Sequence, residues 1–152
     1  MAYIAAEARQ ELLDAVADAT DQIGVALAAL GEAYEQLDEA GGDRLEEELF
    51  RPVQLAYGRA QRTHAGFAER HGLTTRAFEP AAPRRASNGV KGFVEIAVEA
   101  ADAADHALAT LQDSMMPVEV GDAELRAGLA EVRDLIGDVR GRARRFVSLF
   151  GR

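Results

Sequence analysis

One apolar stripe, running from Leu12 to Leu37, constrains the fold of this chain more than any other feature. Its members recur at alternating steps of four and three residues: Leu12, Val16, Ala19, Ile23, Ala26, Leu30, Ala33 and Leu37. This spacing places apolar side chains along one face of a long α-helix that winds gently around a partner. Because an isolated amphipathic helix is only marginally stable in water, the stripe requires other helices to cover it.

Three further segments carry the same periodicity, and none shows the alternation typical of strands. We expect helices over residues 3–40, 43–71, 88–116 and 122–150 of one domain, residues 1–152. Gly41-Gly42 is predicted to end the first helix, and Asp43 to cap the second. Pro52 is expected to disturb the second helix between Glu48 and Arg51. The sequence therefore predicts an all-α four-helix bundle with heptad-like seams.

Residues 72–87 interrupt the periodicity and predict a long connection between the second and third helices. Its fifteen residues from 73 to 87, fully extended, reach on the order of 50 Å. The segment is therefore long enough to cross a bundle from end to end, as the long connection of ferritin-like folds does. An excursion into solvent that joins antiparallel neighbours is the alternative. Two prolines and the Arg84-Arg85 pair favour the excursion slightly.

The composition excludes several classes of protein. A formal net charge of −9 argues against general nucleic-acid binding. The absence of cysteine excludes disulfides and thiolate metal sites, and it fits a reducing cytoplasm. The most apolar stretch, residues 22–31, is far shorter than the ~20 residues of a membrane span. We therefore expect an acidic, soluble, cytoplasmic protein without a transmembrane segment.

Motifs that carry chemistry are absent from the sequence. The di-iron site of ferritin-like bundles uses a Glu three residues before a His, but Gln61, Ala68 and Ala103 precede the three histidines at that distance. No nucleophile elbow, phosphate-binding loop or zinc-protease motif occurs. The sequence therefore predicts no catalytic residue, no metal site and no cofactor, and the chain is expected not to be an enzyme.

Aromatic and imidazole side chains of the second helix are the candidates for a ligand pocket. They share one side of that helix: Tyr57, His64, Phe67 and His71. Imidazole and hydroxyl groups beside an apolar cleft would anchor a small apolar ligand. The competing interpretation, which we favour, makes both histidines partly buried edge residues that pair with acids of the first helix. Those acids are Asp14, Asp18 or Asp21.

Small residues predict close helix packing, either within the chain or across a dimer. Gly24, Ala28 and Gly31 share a face of the first helix, and Gly137 and Gly141 lie four residues apart on the fourth. Glycine inside a helix costs close to 1 kcal/mol relative to alanine. Several such positions therefore indicate a reason to keep the side chain absent.

The C-terminal segment, residues 140–152, combines five arginines with a cluster of apolar residues. Arg144 and Arg145 adjoin Val147 and Leu149, which lie off the core stripe of the fourth helix, so the segment predicts docking to a partner or a membrane surface. The alternative is structural: arginines complement the helix dipole, and Phe146 and Phe150 continue the core.

Three functional hypotheses follow from these patterns. The leading one is a non-enzymatic scaffolding or interaction protein that self-associates, as a homodimer. The second is a helical bundle that binds a small molecule near the second helix. The weakest is peripheral membrane or partner docking through the C-terminal segment.

Overall fold

A computed structural model describes residues 2–150 of the chain. Regular structure in this range is helical throughout and contains no strand. The helices are α1 (Ala2–Glu35), α2 (Glu39–Leu45), α3 (Arg51–His71), α4 (Gly89–Asp113), α5 (Met116–Glu119), α6 (Ala123–Ile136) and α7 (Val139–Phe150), with a π-helical turn (Glu46–Phe50) before α3. The all-α class predicted from the periodicity is therefore confirmed.

The first predicted helix ends earlier than expected. α1 stops at Glu35, and Asp38 caps α2 by accepting a hydrogen bond from the Gly41 amide at 2.7 Å. The prediction that Gly41-Gly42 ends the first helix and that Asp43 caps the second is therefore wrong. Both glycines lie inside α2, because the Asp38 carboxylate satisfies a free amide at the start of that helix.

Pro52 explains the irregular turn between α2 and α3. Proline has no amide hydrogen, so it interrupts the hydrogen-bond ladder of an α-helix. The chain widens here into the π-helical turn, in which the Arg51 N–H donates to the Glu46 carbonyl. Pro52 then lies in the first turn of α3, where a helix has no partner for the missing donor. The disturbance expected between Glu48 and Arg51 overlaps this turn.

The third and fourth predicted helices are each divided. α4 ends at Asp113, and Pro117 occupies the first turn of the separate short helix α5. Gly137-Asp138, two residues of low helix propensity, separate α6 from α7. The spans 88–116 and 122–150 are therefore not continuous helices.

The apolar stripe of α1 is buried from Leu12 to Ala33 and lies at the centre of the core. α1 packs against both α3 and α4, α6 packs against α3, and α4 contacts both α6 and α7. Side chains from all of these helices join one apolar cluster. No helix among residues 2–150 has the length and apolar character needed to cross a bilayer.

The crossover segment, defined here as residues 72–88, runs back along α1. Arg76 pairs with Asp21 in the middle of α1, and an added Cβ at Gly89 would lie 3.3 Å from Oε1 of Gln36, just beyond the end of α1. At the other end of the molecule, Arg9 near the start of α1 donates to the carbonyl of Val120. The excursion favoured from the sequence is therefore wrong: the segment crosses the molecule, and α4 runs antiparallel to α1.

Candidate functional site

The four residues predicted to line a ligand pocket have different surroundings. Phe67 is fully buried, and His64 keeps only 3% of its accessible surface. The His71 ring lies 4.5 Å from the Phe67 ring. His64 precedes Phe67 by three residues, so these three side chains form one row along α3. Tyr57 instead covers Gly24 of α1, where an added Cβ would lie 3.2 Å from Cε1 of Tyr57.

The crossover segment fills the space beside His64. The Phe78 ring meets the imidazole edge-on, with ring centroids 5.0 Å apart. Arg76 lies over the outer face of Phe78 at 4.5 Å and reaches Asp21 of α1 at 2.6 Å. The same guanidinium donates to the carbonyl of Ala17. The chain's own side chains thus cover the site where the sequence placed a ligand.

Burial holds His64 in its neutral form. Loss of solvent lowers the pKa of its imidazole below the ordinary 6.5, and the positive charge of Arg76 lowers it further. Asp14 and Asp21 act in the opposite direction. For Tyr57, burial and the negative charge of Asp21 raise the pKa, while Arg76 lowers it.

The expected pairing of the histidines with acids of α1 is not what the structure contains. Nε2 of His71 lies 2.9 Å from the carboxylate of Asp122, which precedes α6. Asp21 pairs with Arg76 rather than with His64, and within residues 2–150 the His64 ring forms no side-chain hydrogen bond. The sequence left the path of the crossover segment open. Arg76 of that segment is the cation that pairs with Asp21 in place of His64.

Asp122 joins the end of α3 to the start of α6. It accepts hydrogen bonds from Nε and Nη2 of Arg70 at 2.7 and 2.9 Å, and it caps α6 by accepting from the Leu125 amide at 2.8 Å. The Arg70 hydrogen bond holds the pKa of Asp122 well below its usual range, against the opposing effect of burial; the Leu125 amide and His71 add to the lowering. Through these bonds Asp122 ties the end of α3 to the start of α6.

The small residues predicted as an interaction surface do not share one environment. Gly24 is buried under Tyr57, whereas a Cβ at Gly31 would meet no atom within 4 Å. Ala28 is partly buried. Gly137 is exposed at the break between α6 and α7, and Gly141 lies in α7 beside Asp138. Intrachain packing therefore explains Gly24 but leaves Gly31 facing open space.

A groove of about 520 Å³ lies between α4 and α7. The apolar residues that line it are Val94, Val98, Ala143 and Val147, and the polar residues are Lys91, Glu95, Glu99, Arg140, Arg144 and Ser148. We call these ten residues the α4–α7 groove. Two of its members, Arg144 and Val147, belong to the interaction surface predicted from the sequence.

Charges of both signs line this groove. Glu95 and Glu99 are exposed on α4, one turn apart, and Arg140 and Arg144 are exposed on α7 at the same spacing. Arg140 pairs with Asp102, outside the groove. Sequence reasoning missed the acidic half, because Glu95 and Glu99 have the spacing of an ordinary solvated helix face. The available signal for a shared groove was the same four-residue spacing of opposite charges, Arg140 and Arg144, on α7.

The predicted C-terminal docking residues divide between core and surface. Phe146 is fully buried, whereas Leu149 and Phe150 expose about half of their surface. The expectation that Phe150 continues the core is therefore wrong. Phe150 stacks on Phe146 at 5.8 Å and borders a second groove together with Arg44. Arg145 approaches Asp138 at 3.5 Å. The segment therefore contributes to the core and also presents apolar surface.

Metal ligands are not clustered in the described part of the chain. Among residues 2–150, no group of three or more His, Asp or Glu side chains is arranged to hold a metal ion. The centre of the core, where Thr20 and Thr63 lie, is otherwise apolar. Both hydroxyls donate to carbonyls of their own helices, Val16 and Arg59 respectively.

Comparison with known proteins assigns no function. No protein-family model matches the chain, and no curated protein or solved structure matches it significantly. Inference about function therefore rests on the contacts, burial and charges described above.

Proposed function

We propose that this protein acts by binding rather than by catalysis, as a helical interaction protein that associates with a second copy of itself through the α4–α7 groove. The observation that carries the proposal is the groove, whose apolar floor is bordered by charges of both signs. Such a border suits a second copy, because a two-fold symmetric interface places the same surface on both partners.

We also propose that the fold is a four-helix bundle with one long crossover, in which α6 and α7 together supply the fourth helix. The contacts of α1 with α3 and α4, and of α6 with α3, support this arrangement. So does the path of the crossover segment, which makes α3 and α4 parallel neighbours of an antiparallel α1. This is one of the connection patterns known for such bundles.

Charge complementarity supports the choice of a second copy as the occupant. Glu95 and Arg144 line the groove from α4 and α7, and neither forms an ion pair within residues 2–150. A two-fold axis through the groove would bring Arg144 of each copy toward Glu95 of the other. Each contact then occurs twice, so a single charge reversal places two repulsive pairs in the interface.

The apolar floor supplies the attractive surface. Val98 is 9% exposed and Val147 is partly buried, so each still loses water-accessible area when a second helix covers the groove. A stable homodimer interface buries roughly 800 Å² per partner. The contact must therefore extend beyond the groove, and the exposed Leu149 and Phe150 at the end of α7 are the adjoining apolar surface.

Complementary charge reversals test this proposal. We expect the unmodified protein to form a dimer by sedimentation equilibrium at about 0.1 mM, well above a micromolar Kd. Arg144→Glu and Glu95→Arg should each be monomeric alone. An equimolar mixture of the two variants should form a heterodimer. In that pair the introduced carboxylate of one copy faces the introduced guanidinium of the other, and the unmodified Glu95 and Arg144 face each other across the axis, so both contacts are attractive again.

Matched controls reverse charge on α3, away from the groove. Arg62 and Glu69 are exposed and form no ion pair within the described residues. Arg62→Glu and Glu69→Arg repeat the changes in net charge and should leave the dimer intact. A monomeric unmodified protein at that concentration contradicts self-association, whereas a dimer that survives all four reversals contradicts the choice of groove.

We further propose a cytoplasmic location. The support is compositional, because a chain without cysteine makes no use of an oxidising compartment. Fractionation of the producing cells, with detection of the native protein, tests this proposal, and recovery in an extracellular fraction contradicts it.

A further inference from the structure

His64 is the most deeply buried titratable side chain that no function described above explains. It keeps 3% of its accessible surface, and no side-chain hydrogen bond within residues 2–150 reaches its ring. Two neighbours outside α3 shield it: Phe78 meets it edge-on at 5.0 Å, and Arg76 covers Phe78. Both neighbours belong to the crossover segment rather than to a helix.

The helices packed near His64 carry charged and titratable groups of their own. α1 presents Asp14 and Asp21, and Asp21 is already paired with Arg76 at 2.6 Å. α3 itself carries Tyr57 and His71, each seven residues away on the same helix, and His71 contacts Asp122 at the start of α6. A proton added to His64 therefore has no carboxylate hydrogen-bonded to it, and it creates a second positive charge beside Arg76.

We propose that residues 73–79 of the crossover segment form a strap that opens when His64 takes up a proton. In the closed strap, Phe78 covers His64, which keeps only 3% of its accessible surface. In the open strap, more water reaches the ring and solvates the imidazolium. Opening also brings water toward Phe67, the fully buried next member of the same row on α3.

The local contacts of the strap suit a segment that opens without global unfolding. Gly72 adopts a left-handed conformation with φ of 64°, and the Leu73 amide closes the end of α3 by donating to Ala68. Between Leu73 and the start of α4, Arg76 and Phe78 make the long-range contacts described above, and Arg76 is still 45% exposed. Few buried contacts and an exposed backbone are what low-energy local opening requires.

Proton linkage fixes the direction of the effect and its upper limit. Burial lowers the pKa of His64 in the closed strap below 6.5, while the open strap leaves the imidazole near that value. The closed state therefore binds the proton more weakly and loses population as pH falls below about 6.5. Between about pH 7.5 and 5.5 the opening equilibrium constant should rise, by at most about tenfold, before carboxylates titrate.

Hydrogen exchange of the full chain measures this opening. We expect amides of residues 73–79, corrected for the intrinsic pH dependence of exchange, to exchange faster near pH 5.5 than near pH 7.5, by up to about tenfold. Core amides of α1, such as those of Val16 and Ile23, should keep their protection at both pH values. Equal corrected rates in the strap at both pH values overturn the proposal, as does parallel loss of protection in α1.

Variants at three positions assign the effect. His64→Phe keeps an apolar ring with no titrating group and should abolish the pH dependence; His64→Leu serves the same purpose if the larger ring disrupts packing. His71→Gln removes the other histidine of α3 and should leave the pH dependence intact. Phe78→Ala should expose His64 and give fast strap exchange already near pH 7.5. A pH response that persists in both His64 variants overturns the proposal. Because these residues lie apart from the α4–α7 groove, this result is independent of self-association.

Discussion

Thr63 of α3 occupies the space that a side chain at Gly128 of α6 would need. A Cβ atom added at Gly128 would lie 2.8 Å from Cγ2 and 3.0 Å from Cβ of Thr63. Thr63 is fixed in turn, because its hydroxyl donates to the Arg59 carbonyl at 2.8 Å and its branched side chain has few rotamers. Close contact between α3 and α6 therefore depends on the absence of a side chain at one position.

Gly128→Ala should destabilise the protein, although alanine is the better helix former. Alanine gains ~1 kcal/mol over glycine in a helix, but the overlap with a stiff neighbour exceeds that gain. We expect a net loss of about 1–2 kcal/mol in the free energy of unfolding, measured by urea titration.

Gly31→Ala is the matched control, since a Cβ there meets nothing within 4 Å. It should stabilise the protein by about 0.5–1 kcal/mol. The double variant Gly128→Ala with Thr63→Ala should lose less than the two single losses combined. Equal gains in the free energy of unfolding from Gly31→Ala and Gly128→Ala would show that α3 and α6 move apart freely to accept the added methyl group.

Much of the core could be predicted from sequence, because burial in a helix repeats with a fixed period. The stripe from Leu12 to Ala33 is buried as the spacing indicates. Helix ends were less predictable, because Asp38 and Asp43 are both acceptable N-caps and only the folded chain selects Asp38. Local sequence alone does not tell which of two acceptable N-cap residues begins the helix.

The path of the crossover segment could not be predicted, because its contacts are distant in sequence. Arg76 meets Asp21 across 55 residues, and nothing near either residue signals that pairing. The same path determines that α4 and α7 lie side by side. For this reason the sequence identifies Arg144 and Val147 as surface candidates but does not place Glu95 of α4 beside them in the groove.

Asp122→Asn should destabilise the protein in a pH-dependent way. Asparagine still caps α6, but it loses the charge that binds Arg70, so we expect a loss of about 1–2 kcal/mol near neutral pH. Because Arg70 lowers the pKa of Asp122 in the folded state, the carboxylate contributes stability that is fully present above its ordinary pKa of 3.8 and is lost progressively as pH falls from that value toward the lower folded-state pKa. Urea unfolding between about pH 7 and about pH 2 should show a constant difference between the variant and the unmodified protein at high pH, and a difference that narrows below about pH 4.

Asp38→Asn provides the comparison for this experiment. Asp38 also caps a helix, by accepting from Gly41, but forms no ion pair within the described residues. Its replacement should change the free energy of unfolding by less than ~0.5 kcal/mol. A difference between unmodified protein and Asp122→Asn that stays constant down to about pH 3 would assign the effect to capping alone.

Met115→Gly should stabilise the protein. Met115 has a φ of 69°, the one left-handed non-glycine residue within residues 2–150, and its side chain is 49% exposed. Relief of the steric cost of that conformation outweighs the small burial that is lost, and we expect a gain of about 0.5–1 kcal/mol. Val118→Gly, at an exposed helical position three residues later, should instead lose a similar amount. Thermal unfolding of the two variants should therefore shift Tm in opposite directions.

Alanine substitutions in α7 should distinguish one core residue from two surface residues. Phe146 has no exposed surface, so Phe146→Ala should cost about 3–5 kcal/mol through the cavity that it leaves. Leu149 and Phe150 are about half exposed, so alanine at either position should cost less than ~1 kcal/mol. Urea unfolding measures the three values at a concentration low enough to keep each variant monomeric.

At high concentration, Leu149→Ala and Phe150→Ala should weaken the dimer, because both side chains adjoin the proposed interface. If they leave the dimer intact but abolish binding to vesicles of anionic lipid, the exposed end of α7 contacts a membrane surface instead.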